Sequence, residues 1–237
     1  LEAIVGAARG CRPDAVAPVE RPVVADSFAL DNGQVEVDVA GDGTLTVRGA
    51  DGTTLSGVGR IVDGGDRGDS YNYGPPARDV IVDAPSAVSV RMVETGPLRG
   101  TVEIVSEYDW PGGLSDDLDQ RGERTVRVVV TTLAELRAGE PFVRMEVTFT
   151  NPAADHRVRL HVPLPSAVAA SAAEGQFAVT ERGLWAEGGW GEYPLPTFPA
   201  SAFVSAGAAT VLLDHVTEYE LVAGGTELAL TLLRAVG

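Results

Sequence analysis

Apolar and polar residues alternate with a period of two along most of the chain after position 27, and this pattern predicts β-strands. The clearest run extends from Phe142 to Thr150, where apolar side chains occupy every second position and polar ones lie between them. The runs at 124–136 and 156–163 repeat the pattern, with Gly-Glu-Pro and Asn-Pro turns between the three runs. We therefore predict an antiparallel meander with one buried and one polar face.

The rest of the chain repeats short strands separated by turn residues. A hairpin is predicted where valines alternate at 35–39 and apolar residues alternate at 45–48, on either side of Gly41-Asp42-Gly43. No segment keeps a 3.6-residue period over three turns. The predicted fold class is all-β, a large antiparallel two-sheet sandwich, because so many strands exceed one small barrel. Further strands are predicted at 58–62, 87–94, 98–108, 176–181, 201–206, 209–214, 218–222 and 226–234.

Residues 1–26 differ from the remainder. They mix Ala, Pro and Arg without a sustained period, and Pro13, Pro18 and Pro22 would interrupt a helix. We interpret 1–26 as a linker or N-terminal extension and 27–237 as the β-sandwich domain. The chain opens on Leu1 and ends directly after a strand-like run, so we expect it to be a piece of a longer polypeptide.

The charge balance restricts the partners. The chain carries 34 acidic and 18 basic residues, all of the basic ones arginine, for a formal charge of −16. This excess of acid argues against a protein that tracks nucleic-acid phosphates, and against a membrane surface as partner. The lone Cys11 leaves no disulfide framework or multi-thiolate metal site. Since no apolar stretch is long enough to cross a membrane, the expected location is cytoplasmic.

The sequence offers no self-contained catalytic constellation. His156 and His161 are five residues apart on one predicted strand, so they point to opposite faces, and His215 is distant in sequence. No nucleophile elbow or phosphate-binding glycine loop is present. We therefore assign no catalytic residue and no metal site to this chain.

The most unusual stretch runs from Asp63 to Pro76, which packs carboxylates, glycines and two tyrosines between two predicted strands. Glycine permits close backbone approach, and tyrosine offers a flat apolar ring with a hydroxyl, as a sugar or a partner surface requires. Two other interpretations stay open from the residues alone. The stretch could be a solvated acidic loop, or a calcium loop, although its aspartates lack the EF-hand spacing.

A second aromatic group, Trp185, Trp190 and Tyr193, lies in a stretch rich in glycine and proline. Exposed loop aromatics stack on sugar rings in many sandwich modules, but the same side chains could equally cover the end of the core. An autonomous carbohydrate-binding module is therefore the alternative function.

Four blocks in order resemble the C-terminal half of the glycoside hydrolase family 38 alpha-mannosidases, in particular the bacterial mannosylglycerate-hydrolase-like branch. The resemblance covers about residues 28–237. The blocks are GDRGDSYNYGPP at 65–76, the Asn151 to Arg159 segment with DHRVR, FAVTER at 177–182, and EYE at 218–220 followed by LALTLLRAVG at 228–237.

The resemblance implies a galactose-mutarotase-like supersandwich in a retaining alpha-mannosidase. It also implies that the nucleophile carboxylate and a catalytic zinc, held in part by a His-x-Asp pair, reside in a preceding barrel domain. None of the three histidines here begins such a pair. We therefore expect a noncatalytic domain without a cofactor of its own. Its partners would be the zinc-dependent barrel of the same polypeptide and a mannoside, whose cleft it completes.

Within this framework, Asp69, Tyr71, Tyr73 and Arg234 are the predicted substrate-binding residues. The resemblance is densest at the first three, which would share one face if the chain there is extended. For Arg234 two interpretations stand. Because its neighbours on the closing strand are apolar, we favour a guanidinium tied to a carboxylate, while the functional alternative is that it reaches the sugar cleft.

Overall fold

The computed structural model describes residues 18–186 and 194–236, and each regular element within these ranges is a β-strand. All pairings between neighbouring strands are antiparallel. The prediction of an all-β fold is confirmed. The backbone hydrogen bonds separate four sheets, where the sequence predicted two.

The first two sheets come from the first part of the chain. The N-terminal sheet follows chain order: β1 (Val24–Asp26), β2 (Ala29–Asp31), β3 (Val35–Val39), β4 (Leu45–Gly49) and β5 (Thr54–Val58). The long sheet has the order β10-β9-β8-β7 and consists of β7 (Ala87–Thr95), β8 (Arg99–Pro111), β9 (Thr125–Arg137) and β10 (Arg144–Phe149).

The other two sheets bring together strands that are distant in sequence. The central sheet has the order β14-β17-β18-β11-β6, formed by β6 (Arg60–Gly65), β11 (His156–Pro163), β14 (Thr197–Pro199), β17 (Glu218–Val222) and β18 (Glu227–Ala235). The outer sheet has the order β13-β12-β15-β16, formed by β12 (Ala170–Gly175), β13 (Ala178–Gly183), β15 (Phe203–Ala206) and β16 (Ala209–Leu212).

The predicted meander is correct for its first two strands and wrong for the third. β9 and β10 pair as predicted, but β11 leaves the long sheet and pairs with β6 on one side and β18 on the other. As an interior strand of the central sheet, β11 is buried on both faces, including Arg157 and His161. The charged face that alternation assigned to solvent is therefore covered by other parts of the chain.

The chain passes from the N-terminal sheet into the central sheet at Gly57 and Gly59, both in the left-handed region with φ of 81° and 88°. This conformation suits glycine, because a side chain there would be strained. The Gly59 amide then donates to the His161 carbonyl at 2.9 Å, which starts β6 alongside β11.

One continuous hydrophobic core joins all four sheets. Its members are valine, leucine, isoleucine and alanine with few aromatics, as the composition requires. Fully buried examples from each sheet are Leu30 and Leu45, Val102 and Val128, Val158 and Leu228, and Val204.

The predicted linker at residues 1–26 is correct only in part. Within the segment interpreted as a linker, residues 24–26 form β1, which pairs with β2, whereas residues 1–17 lie outside the described ranges. In the described part, no helix has the length and apolar character that crossing a membrane demands.

Candidate functional site

The candidate site is the loop at residues 66–77, called here the Asp66 loop, which follows β6 and lacks regular secondary structure. Its first residue is the fully buried Asp66. One carboxylate oxygen, Oδ1, accepts the backbone N–H groups of Gly68 at 2.9 Å and Gly74 at 3.0 Å, while Oδ2 accepts Nε–H of Arg234 at 2.7 Å. A buried carboxylate is tolerated where both of its oxygens accept hydrogen bonds and a cation compensates its charge, as here. Asp66 therefore organises the loop.

Two backbone hydrogen bonds close the loop at its base. The Asp66 amide donates to the Asp155 carbonyl at 2.9 Å, and the Arg67 amide donates to the Gly74 carbonyl at 2.7 Å. Gly68 has no room for a side chain, since a Cβ there would lie 1.9 Å from the Asn72 carbonyl oxygen. The glycines of this loop thus serve a close approach of two backbone segments.

The tip of the loop is a turn built on Asp69. The Oδ1 atom of Asp69 accepts the amides of Tyr71 and Asn72, each at 2.8 Å, and the Asp69 amide donates to the Asn72 carbonyl at 3.0 Å. The hydrogen bonds from the amides of Asn72 and Tyr71 lower the pKa of the Asp69 carboxyl. Asp69 is exposed, and both of these hydrogen bonds from the turn use Oδ1 of its carboxylate.

The two tyrosines have different environments, and the prediction that Asp69, Tyr71 and Tyr73 share one face is wrong because this turn reverses the chain. Tyr71 is 87% exposed. The ring of Tyr73 instead covers the Arg157 guanidinium, whose carbon lies 3.6 Å from the ring centroid. Burial raises the pKa of the Tyr73 hydroxyl, although nearby Arg157 opposes this effect. Tyr73 therefore fastens the loop to the central sheet.

Arg234 lies beside the loop, on β18, and the predicted tie between its guanidinium and a carboxylate is confirmed. It donates from Nε to Asp66 and from Nη2 to the Asp69 carbonyl oxygen at 3.0 Å. Its side chain is only 15% exposed. The guanidinium thus links the buried base of the loop to its tip.

Below Tyr73, the polar face of the central sheet carries a compact charge network. The Oε2 atom of Glu220, on β17, accepts hydrogen bonds from both Arg157 and Arg159 on β11, each at 3.2 Å. Burial, together with the neighbouring Arg157, lowers the pKa of Arg159. Glu218 lies 3.6 Å from Arg157 and also accepts the hydroxyl of Thr231 at 2.6 Å. These arginines and carboxylates neutralise one another under the loop.

A second buried network lies at the base of the loop, on the core side of the central sheet. Asp63 Oδ2 accepts Arg121 at 2.7 Å, and Asp63 Oδ1 lies 2.5 Å from His156 Nδ1. The other ring nitrogen of His156 faces the Asn151 side-chain oxygen at 3.0 Å. Arg121 comes from the connection between β8 and β9, so one guanidinium joins that connection to the end of β6.

His161 belongs to a third group, near the opposite end of β11. Its Nδ1 lies 2.6 Å from Glu227 Oε2, which also accepts Arg60 at 2.7 Å. Burial lowers the pKa of His161 to about 4, and the positive charges of Arg159 and Arg60 act in the same direction. Burial opposes ionisation of Glu227, but the hydrogen bond from His161 and the charge of Arg60 outweigh it and lower the pKa of Glu227. His161 is therefore a neutral imidazole at pH 7.

Metal binding finds no support among the described residues, where no group of three or more His, Cys, Asp or Glu side chains could hold an ion. The calcium interpretation of the acidic stretch fails on geometry, because Asp63 and Asp66 are committed to arginines and to backbone amides. Trp185 is 91% exposed. Trp190 and Tyr193, the other two members of the predicted aromatic group, lie outside the described residues.

Sequence reasoning singled out this loop, with Tyr73 and Arg234, but missed Asp66 and the charge networks beneath the loop. The signal for Asp66 was a carboxylate among Gly64, Gly65 and Gly68, which is typical of an aspartate that binds backbone amides. The signal for the sheet network was matching charge alternation: Arg157 and Arg159 on one run, Glu218 and Glu220 on another. The Asp63, His156 and Arg121 network had no local signal.

The chemistry of the loop tip is that of its exposed side chains. The tip presents an exposed phenol ring at Tyr71 and a carboxylate oxygen at Asp69 on a turn whose backbone is held by Asp66, Arg234 and Tyr73. A ring stacks on the apolar face of a sugar, and a carboxylate accepts sugar hydroxyl groups. Such a rigid tip loses little conformational entropy on binding.

The comparisons with known proteins agree with the resemblance seen in the sequence. No protein-family model matches the chain. A curated protein of Halalkalibacterium halodurans, named "Putative mannosylglycerate hydrolase", is 27% identical over 199 residues, which cover 76% of this chain and 22% of that protein.

Two solved structures share the fold. An alpha-mannosidase from Enterococcus faecalis V583 superposes with a TM-score of 0.83 at 23% identity, over 91% of this chain and 27% of that one. A glycosyl hydrolase family 38 protein from Enterococcus faecalis gives a TM-score of 0.81 at 21% identity, with the same coverage. The chain thus spans about a quarter of the length of these relatives.

Proposed function

Because this chain is a relative of the glycoside hydrolase family 38 alpha-mannosidases, we propose that it is a noncatalytic C-terminal β-sandwich domain of an alpha-mannosidase. In this proposal, residues 27–237 are a domain of the galactose-mutarotase-like supersandwich type, after a linker at 1–26. The domain completes the mannoside cleft of a zinc-dependent barrel in the same polypeptide. The cytoplasmic location stays a prediction.

The observation that carries the proposal is the contrast between the buried base and the exposed tip of the Asp66 loop. A fully buried carboxylate, an arginine of the last strand and a tyrosine on a sheet arginine all hold the loop, while Tyr71 at its tip is 87% exposed. A solvated loop needs no such bracing. A rigid tip with an exposed aromatic side chain is typical of a surface that receives a ligand or another domain.

The proposal divides the four predicted site residues into two pairs. Asp69 and Tyr71 contact the mannoside, since their side chains reach the outside of the turn. Tyr73 and Arg234 position them, since the ring of Tyr73 packs on Arg157 and the guanidinium of Arg234 is bonded to Asp66 and the Asp69 carbonyl. Hydrolysis itself, with its zinc and nucleophile, is assigned to the barrel.

The test uses the full-length enzyme and substitutions that preserve the turn. Asp69→Asn keeps an Oδ1 acceptor for the amides of Tyr71 and Asn72, and Tyr71→Ala removes only the exposed ring. Each should lower kcat/KM for an aryl alpha-mannoside about tenfold or more, as loss of a charged hydrogen bond or a stacked ring does. The neighbouring Ser70→Ala, at another exposed position of the turn, is the matched control and should have little effect.

Two results would contradict this assignment. Wild-type kinetics in both variants would show that the loop has no role in binding, and a large drop in melting temperature in both would show that its role is structural.

A separate experiment tests whether hydrolysis belongs to the barrel domain alone. The 237-residue chain should not hydrolyse an aryl alpha-mannoside even with added zinc, because turnover requires a positioned nucleophile and general acid. Zinc-dependent turnover by this purified chain would overturn the noncatalytic role.

An autonomous carbohydrate-binding module is the second candidate function, and the exposure of Trp185, at 91%, is the observation in its favour. Titrating the chain with mannose and mannobiose separates the two candidates. Millimolar or tighter binding that Trp185→Ala abolishes would support the module. Absence of binding would support a domain that contacts sugar only together with the barrel.

A further inference from the structure

The turn between β2 and β3 contains Asn32 followed by Gly33, the pair of residues in this chain most prone to deamidation. Asparagine before glycine loses its side-chain amide most readily, because glycine has no Cβ to shield the next backbone nitrogen. The two other asparagines are chemically slower, since Asn72 precedes a bulky tyrosine and Asn151 precedes a proline, which has no N–H group. Whether Asn32 reacts depends on how the fold holds it.

The fold buries the Asn32 side chain and uses all of its hydrogen-bonding positions. The residue is 1% exposed. Its Nδ2 group donates to the carbonyl oxygens of Arg137 and Glu140, both at 2.8 Å. Its Oδ1 atom accepts the amides of Gln34 at 3.0 Å and Val35 at 2.9 Å, so no donor or lone pair is left over. Because Arg137 and Glu140 lie at the turn between β9 and β10, this one side chain joins the N-terminal sheet to the long sheet.

Deamidation of Asn32 would proceed through a cyclic imide formed with the next residue. The Gly33 nitrogen loses its proton and attacks Cγ of Asn32, so that an N–Cγ bond forms, the Cγ–Nδ2 bond breaks and ammonia leaves. Water then opens the imide at one of its two C–N bonds, which gives aspartate or isoaspartate. In total, one water is consumed and one ammonia is released.

The folded structure blocks the first step in two ways. The Gly33 amide donates to Asp31 Oδ1 at 2.7 Å, and this carboxylate acceptor holds the proton on the nitrogen. The Asn32 side chain can rotate its Cγ toward that nitrogen only by breaking the hydrogen bonds of a buried amide, which leaves the carbonyls of Arg137 and Glu140 without their donor. The reaction therefore requires the N-terminal sheet to separate from the long sheet first.

We propose that Asn32 is a deamidation site that reacts only in the opened chain, and that this modification makes the opening irreversible. The product aspartate has no N–H group to donate, yet it would face the carbonyl oxygens of Arg137 and Glu140, which lie 2.8 Å from Nδ2. It would also place a negative charge in a buried position. Isoaspartate would add a methylene group to the backbone between β2 and β3 and so disturb their register.

The turn thereby sets a lifetime for the folded protein. When opening and closing are fast relative to the chemistry, modification proceeds in proportion to the population of open chains. A chain that deamidates while open cannot close again in the native form, so its operational stability becomes a rate. This site is independent of mannoside binding by the Asp66 loop.

The experiment follows deamidation of the purified chain in mildly alkaline buffer, folded and unfolded in guanidinium chloride, with peptide mass spectrometry at each asparagine. In the unfolded chain, Asn32 should convert first, Asn72 more slowly, and Asn151 not by this route. In the folded chain, conversion of Asn32 should be about a hundredfold or more slower, because it follows the open population. Asn72, which is exposed in the folded chain, is the internal control, and its rate should change far less.

Refolding tests the irreversibility. Samples diluted from denaturant at increasing times should recover native structure in a fraction that falls in step with conversion of Asn32. Gly33→Ala should convert several-fold more slowly in denaturant, because its methyl group shields the attacking nitrogen, and nothing in the folded chain lies within 4 Å of that added Cβ. Asn32→Asp reproduces one product and should lower the urea midpoint or prevent folding, whereas Asn72→Asp, at an exposed position, should leave the midpoint nearly unchanged.

Three results would overturn the proposal. Equal rates of Asn32 conversion in the folded and unfolded chain would show that the fold gives no protection. Full recovery of native structure by chains that carry the converted residue would show that the modification does not prevent closing. An Asn32→Asp variant that unfolds at the wild-type urea concentration would show that the turn accepts a carboxylate.

Discussion

Arg234 and Asp66, 168 positions apart in the sequence, form a direct hydrogen-bonded ion pair, with Nε of the arginine 2.7 Å from Oδ2 of the aspartate. The aspartate is fully buried and also binds two backbone amides of its loop. The pair therefore joins the last strand of the fold to the loop that follows β6. It makes the shape of the candidate site depend on completion of the central sheet.

Removing the cation of this pair should destabilise the domain. Arg234→Met would leave the buried Asp66 carboxylate without its counterion, and we expect the free energy of unfolding to fall by about 2 to 4 kcal/mol. Urea denaturation of the chain measures this change. Arg91→Met, which removes an exposed arginine paired with Glu103, is the control and should barely move the urea midpoint. Equal effects of the two variants would contradict a structural role for Arg234.

The network at the base of the loop gives a second stability prediction. Arg121 and Asp63 are both completely buried, so Arg121→Met should cost about 3 to 5 kcal/mol of unfolding free energy by leaving Asp63 with His156 alone. Arg78→Met breaks a pair with Asp119 at the surface and serves as the control. If Arg121→Met unfolds at the same urea concentration as this control, the buried network does not hold the loop base.

His161 predicts a dependence of stability on pH. Its pKa of about 4 in the folded state lies below the ordinary value of 6.5, so the unfolded state binds the proton first. Stability is therefore complete above about pH 6.5 and is lost as pH falls toward 4, by roughly 2 to 3 kcal/mol. The lowered pKa of Glu227 adds a loss in the same direction at the acidic end of this range.

Urea titrations at several pH values between 7 and 4 test this linkage. His161→Gln should flatten the profile, because the group that the folded state keeps neutral is gone, whereas His215→Asn, at a side chain 96% exposed, should leave the slope as in wild type. A profile in His161→Gln as steep as that of the wild type would show that other groups cause the acid sensitivity.

Gly68 provides a test of loop geometry. A methyl group there would collide with the Asn72 carbonyl, so Gly68→Ala must displace the turn that Asp69 closes. We expect faster hydrogen exchange at the amides of Tyr71, Asn72 and Gly74, and a loss of activity in the full-length enzyme. Gly41→Ala is the control, since nothing lies within 4 Å of its added Cβ. Unchanged exchange in Gly68→Ala would mean that the loop tolerates another conformation.

The strands were largely readable from the sequence because alternation is a local property. The predicted runs at 156–163 and 218–222 coincide with β11 and β17, and the hairpin at 35–39 and 45–48 corresponds to β3 and β4. Burial of one face fixes which residues are apolar in such strands, so each strand carries its own signal. The strands β1, β2, β5, β12 and β14 were not predicted, because they are short or, in β12, rich in alanine, and so lack a clear alternation.

Which strands pair with each other could not be predicted from the sequence, because an alternating strand can pair with any other alternating strand. Nothing within 142–163 shows that β10 ends one sheet while β11 enters another between β6 and β18. The sequence also showed arginines and a histidine on one face of β11, but not the carboxylates of β17 and β18 that allow this face to be buried. Those partners come from distant parts of the chain.

For the candidate site, the sequence by itself determined which loop is unusual, and the tertiary structure decided what each residue in it does. Glycines, carboxylates and tyrosines in one short stretch are a local signal, and they singled out Asp69, Tyr71 and Tyr73. Only the packing against β11 and β18 separated the exposed Tyr71 from the half-buried Tyr73 and tied Arg234 to Asp66. The composition of a short stretch is a property of residues that are neighbours in the sequence. Burial and charge pairing, in contrast, arise between segments that meet only when the sheets form.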